Sequence, residues 1–443
     1  MVKSSRNYLK KAYIGILLLI FGGIVLQGPI SVGFGTLCPS YELLIKSWKE
    51  ILMLVAGLIA LFLLHKNKQM QILRDPVIFA IGAYGILHLV MMGYTFTGWS
   101  SSLAGLAIDL RYVLYFGLVY IAMRLYPEYR QMFIKVGIAG ALAVLIFAIL
   151  QVFLLPKDVL KYIGYNVNTI SPYLTVDQNQ NYIRINSTLR GPNPLGAYAG
   201  MVLVLITAAI VKLKNIKDKW PLIAILSVSG VVALWASYSR SAWAATAVAI
   251  VVVMAVAGAK KLSPKVWVLS GIIAAVVIGS FLILGNTQFI SNIFLHENPN
   301  GGSSVNSNEG HISSLQDGLK QMVSQPLGDG VGSTGSASLQ GSNPTIIENQ
   351  YLFTAHEVGW FGLILFVYIF TLVMLELWKL RQNWLALGLF ASGIGLAVIG
   401  LLLPVWVDDT VSIIWWGLAA VTMGIGKRGI GNRVKTLDKV KRV

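Results

Sequence analysis

Apolar runs long enough to cross a bilayer recur from one end of this 443-residue chain to the other. A hydrocarbon core about 30 Å thick takes about 20 apolar residues of helix to cross. Inside it every backbone N–H and C=O must be satisfied within the protein, which leaves helices as the reading for runs of this length. Charge is correspondingly scarce: 12% of residues are Asp, Glu, Lys or Arg and 56% are hydrophobic. A soluble domain carries roughly 25% charged residues and could not cover its surface with so few. A soluble enzyme, a disordered chain and a fibrous repeat are all excluded. The sequence predicts an all-α polytopic membrane bundle forming a single domain over residues 1–443.

About twelve segments qualify, near 12–28, 44–64, 76–96, 102–124, 132–154, 193–211, 220–237, 241–258, 266–285, 350–378, 384–403 and 410–426. The first follows Lys3, Arg6, Lys10 and Lys11 as a secretory signal would. No clean small-residue cleavage site follows it, so it reads as an anchor. Orientation comes from the 35 Lys and Arg, set against 18 Asp and Glu for a net charge of +17. With the N-terminus in the cytoplasm, nine of the 35 fall elsewhere: Lys46, Lys49, Arg111, Lys157, Lys161, Arg184, Arg190, Arg240 and Lys320. The rest lie in short cytoplasmic loops or the basic tail 427–443, which predicts both termini inside. The net charge is then an orientation signal and not a mark of nucleic-acid binding. One cysteine, Cys38, gives neither a disulfide nor a metal framework.

Two predicted extracytoplasmic loops are long, 156–192 and 286–348. Such loops usually carry function. Within the second, Ile312, Leu315, Leu319 and Met322 recur at helical spacing, predicting an amphipathic helix over Glu309–Gln325 that Pro326 stops. Gly328, Gly330, Gly332, Gly335 and Gly341 follow. A surface helix and then a mobile glycine segment reads as a lid, or as a plain interfacial helix with a linker. Gly330-Val331-Gly332-Ser333-Thr334-Gly335 matches the dinucleotide fingerprint, but no strand–turn–helix unit is expected around it. No metal cluster is expected either, and Asp408 and Asp409 read as solvated.

Among the nine cations, Lys46, Lys49, Lys157 and Lys161 read as snorkelling to headgroups. Arg190 precedes Gly191-Pro192-Asn193-Pro194 at a span start, and Arg240 lies between Ser239 and Ser241 at another. Guanidinium forks beside free helix N–H groups suit a phosphate, so Arg190 and Arg240, with Arg184 behind them, are candidate diphosphate ligands. Asp109, Arg111 and Glu357 fall within spans and should face the interior with partners, Arg111 with Glu357 being one pairing to expect.

These residues carry a resemblance. The run Leu189 to Gly196, the Ser239-Arg240-Ser241-Ala242-Trp243 turn and the loop helix with Pro326-Leu327-Gly328-Asp329-Gly330-Val331-Gly332 are similar to the O-antigen ligase and polymerase superfamily. The fourth element is Glu348-Asn349, nine further residues, then Gly359 and Gly362. It resembles the ligases' His-Asn, nine residues, Gly-x-x-Gly pattern, with Glu348 standing where the ligases have His.

The resemblance implies a GT-C-like bundle in the bacterial cytoplasmic membrane. It implies transfer of a glycan from a polyprenyl diphosphate carrier to an acceptor hydroxyl on a glycan, lipid or protein. The active site would face the extracytoplasmic side, in a cavity roofed by the 286–348 loop. The donor is already activated, so neither cofactor nor metal is expected. By motif position Glu348 takes the role of base, with His311 as its rival, and Asn349 and Tyr351 line the glycan site. A secondary transporter or flippase of lipid-linked glycan is the competing class, since twelve spans with both termini inside suit it as well.

Overall fold

In the computed structural model, residues 2–176, 179–213, 216–257, 307–341 and 344–440 are described. The side chains of 307–312, 314 and 426–440 and of the first six residues lie outside that description. The chain is mostly helical. Helix α1 (Val2–Gly23) passes through a 3-10 turn into α2 (Gln27–Leu37). Then come α3 (Glu42–Lys46), α4 (Trp48–Lys66), α5 (Pro76–Tyr94), α6 (Trp99–Leu125) and α7 (Arg130–Phe153). A hairpin of β1 (Tyr173–Val176) and β2 (Asn179–Ile185) precedes α8 (Pro192–Lys212), α9 (Trp220–Ala236) and α10 (Arg240–Ala257). The rest is α11 (Ser307–Ser324), α12 (Gly335–Ser338), α13 (Gln350–Lys379), α14 (Trp384–Gly400) and α15 (Asp409–Val440).

Among the described residues nine helices are long and apolar enough to cross a membrane, and Trp384–Gly400 and Asp409–Ile425 are shorter apolar helices. The expected span at 266–285 lies outside the described residues. To the helical bundle the structure adds one short hairpin, an antiparallel pair with Tyr173 opposite Ile185 and Leu174 opposite Arg184. The expected loop helix is present as α11.

The core gathers where α6 packs along α15 and α14 along α8 and α10. Trp406, Trp415 and Trp416 are fully buried, with ring centroids 5.2 to 5.7 Å apart, and Tyr112, Phe116 and Phe370 close around them. Aromatic rings at such separations attract beyond their buried area, and they fix the α14–α15 turn to α6 and α13.

All the long connections described emerge at one end of the bundle, the end of Gly191, Arg240, Asn349 and Asp409. At the rise of an α-helix, the 17 residues of α14 span about 26 Å. The turn that follows it starts exposed at Leu401 and Leu402 and buries Val405 and Trp406 in the bundle.

Candidate functional site at the loop-bearing end

Four segments meet at this end, and local chemistry sets each. Pro192 opens α8 in the first helical turn, where its missing N–H costs nothing. Gly196 follows, and a Cβ there would lie 2.7 Å from Ser237 Oγ and 3.0 Å from Ser239 Cβ. The α8 start therefore lies directly against the turn that bears Arg240. Arg184 on β2 completes this junction: its Nε donates to the Ser237 carbonyl at 2.9 Å and its Nη2 to Asn193 Oδ1 at 2.6 Å. The segments bearing Arg184, Arg190 and Arg240 are thus brought together. Arg184 is committed to bracing them, Arg190 is exposed at the start of α8, and Arg240 is half-buried as the first residue of α10.

Across from this junction lies the arm 344–349 that leads into α13. Asn349 is the N-cap: its Oδ1 accepts from the Tyr351 and Leu352 amides at 2.9 and 3.0 Å, and its Nδ2 donates to the Leu401 carbonyl at 2.7 Å. Gln350 accepts from the Trp406 amide at 2.9 Å, and Tyr351 donates its hydroxyl proton to the Ala397 carbonyl at 3.1 Å. The arm is therefore pinned along the α14–α15 turn. Ile347 packs with Met322 and Val407, which leaves Glu348 half-buried beside that turn. The backbone of His311 lies on α11, and its side chain is outside the described residues.

The 401–409 turn carries a charge cluster that the sequence reading missed. Lys49, expected to snorkel, is 2% exposed, with its ammonium 3.4 Å from Asp409 and 3.3 Å from Glu50. Arg111 was expected to pair with Glu357. Its Nη1 instead lies 3.6 Å from both Asp409 and Glu50, and its Nη2 donates to the Val407 carbonyl at 2.7 Å. Asp409 was expected to be solvated and is 1% exposed. Buried charges must be paired, so the cue was present: two cations at a span start or inside a span needed carboxylates, and Asp408-Asp409 was the unassigned pair.

Asp408 keeps part of its surface exposed, yet its carboxyl is hemmed in. Loss of water and then the adjacent Asp409 charge push it up to about 6, against the pull of the Val411 amide, Arg190 and Arg111. The field of Arg190 thus reaches the turn against which the Glu348 arm is docked.

The glycine segment packs into the bundle. It is wedged between the start of α6 and a break in α13, where Val358 and Gly359 leave helical geometry. The Asp329 amide donates to the His356 carbonyl at 2.6 Å and the Trp360 amide to the Pro326 carbonyl at 3.0 Å. The break frees the groups that the loop uses, and each satisfies the other.

Chemically, this end carries cations at the starts of α8 and α10 and a half-buried carboxylate on the arm before α13. Such an arrangement can hold an anion and set a base near it. Among the described residues no group of three or more His, Cys, Asp or Glu could hold a metal. Compared with known proteins, residues 222–367 match the family described as O-Antigen ligase. No curated protein matches the chain. The matched stretch takes in Arg240, α11, the glycine segment, Glu348, Asn349 and the broken helix. Residues 222–367 of this helical, multi-pass membrane protein are thus similar to the O-antigen ligase family.

Proposed function

We propose that the protein moves a glycan from a polyprenyl diphosphate carrier to an acceptor hydroxyl at the extracytoplasmic face of the bacterial cytoplasmic membrane. The observation that carries this reading is the docking of the Glu348 arm on the 401–409 turn that also feels the charge of Arg190. Arg190 and Arg240 hold the diphosphate, and Arg184 keeps their two segments in register. Glu348 takes the proton of the attacking hydroxyl, with His311 on α11 as the rival base. As the carrier leaves, charge builds on its diphosphate, and fixed guanidinium groups in a partly dry site stabilise that charge. The leaving group departs already stable as an anion, so the chemistry runs without nucleotide or metal. Asn349 and Tyr351 shape the glycan side of the site from the start of α13.

The test is turnover in nanodiscs with a polyprenyl-diphosphate oligosaccharide and no added nucleotide or metal, read by mass spectrometry. Free carrier with chain growth marks a polymerase. Free carrier only with a separate acceptor marks a ligase. Intact donor with every acceptor tried contradicts the reading.

A further inference from the structure

The wedged glycine segment poses a hydrogen-bonding problem. Its first part, residues 325–334, runs without helix or strand through a packed part of the bundle, so its amides need acceptors that no ladder supplies. It also approaches its neighbours backbone to backbone. Gly332 has φ +84°, and a Cβ there would lie 2.1 Å from the Ser101 carbonyl oxygen. No side chain can be added to strengthen so tight a seat, and the hold must come from elsewhere.

It comes from Glu357, 1% exposed on α13 two residues before Gly359. Its carboxylate accepts from the Gly332 amide at 2.7 Å and from the Thr334 amide at 3.3 Å. Thr97, in the turn between α5 and α6, adds one bond from the other side, donating to the Val331 carbonyl at 2.7 Å. The broken helix α13 and the α5–α6 turn thus hold one short stretch of loop backbone between them.

We propose that Glu357 is a positioning residue, a buried carboxyl latch that holds the Gly332 and Thr334 amides and so seats the glycine segment in the break of α13. The consequence follows from chain order. The segment links α11, which bears His311, to the arm that bears Glu348. Seating it fixes the mounting of both candidate bases without Glu357 touching a substrate. The latch stands on geometry alone and holds whether or not the proposed transfer reaction does.

The test reads seating, not turnover. In a Cys38→Ser background, Ser333→Cys places a thiol at a position 9% exposed within the segment, and Ser229→Cys places one at 0% exposed on α9, which does not touch it. Labelling by a membrane-permeant maleimide is followed for each. Glu357→Leu is expected to raise Ser333→Cys labelling at least tenfold and to leave Ser229→Cys unchanged. Glu357→Gln, whose Oε1 can still accept from one of the two amides while its Nε2 cannot accept from the other, is expected to label between wild type and Glu357→Leu. Continued protection in Glu357→Leu overturns the latch. A rise at both reporters overturns it as well, because the seat is then no separate unit.

Discussion

Asp408 shows how one residue can tune the proposed site. Lys49, Arg111 and Arg190 are set against Glu50, Asp408 and Asp409, and the charges balance when all six are ionised. Because Asp408 is pushed up to about 6, it takes a proton under mildly acidic conditions and leaves the cluster one charge more positive. The sign for stability follows from linkage. A carboxyl raised in the folded state contributes stability that is fully present below its unfolded value and is lost as pH rises through about 6. For binding, a donor with a diphosphate diester should bind more tightly at pH 5.5 than at 7.5, by about threefold for one partly screened charge. Asp408→Asn should bind equally at both pH values, at the tighter level, in a titration by tryptophan fluorescence. An unchanged pH dependence in that variant would contradict the assignment. Arg190, Arg240 and Glu348 can be singled out in the sequence by residue type and by the span starts beside them. The Lys49, Arg111 and Asp409 cluster is legible only as cations that need carboxylates, because sequence separation says nothing of a meeting that packing of α4, α6 and α15 creates. The bonds from the Gly332 and Thr334 amides to Glu357 are not legible at all, because they depend on how the glycine segment folds back on α13.

At the scale of elements, caps and breaks do most of the positioning. Asn349 ends the arm, caps α13 through two hydrogen bonds and ties both to Leu401 through a third. Asn349→Ala should lower stability by roughly 1–2 kcal/mol, the usual cost of a lost cap. It should also slow transfer by displacing Glu348. Asn349→Asp keeps the cap and should recover most of the stability in a thermal unfolding scan. Gly359 sits at φ +69°, and a Cβ there would lie 2.6 Å from the Pro326 carbonyl oxygen. Gly359→Ala should therefore cost more than the roughly 1 kcal/mol of left-handed strain alone, and a melting temperature equal to wild type would contradict the wedge. The long helices were legible because apolar length dictates them. The hairpin was not: Tyr173 to Ile185 is polar and short, and it pairs locally beside the bundle rather than burying an alternating face. The wedge was invisible for a different reason. Glycines at alternate positions read as a flexible linker or as a backbone packed on backbone, and only the neighbours decide.

For the whole molecule, the account places the loop-bearing end outside the cell. Cys38 is exposed at the end of α2, on that side of the bundle, and serves as a natural reporter. A membrane-impermeant maleimide should label it in intact spheroplasts at the rate seen in opened membranes. Labelling only after lysis would invert the orientation read from the basic loops. The central claim, that fixed guanidinium groups stabilise a departing lipid diphosphate, is tested most directly by single-turnover release of free carrier in nanodiscs. Wild type, Arg190→Ala and Arg240→Ala would be compared at equal, folded protein. Each variant should release carrier about 100-fold or more slowly, the usual cost of removing one group that stabilises a developing charge. Release at the wild-type rate from either variant would contradict the account.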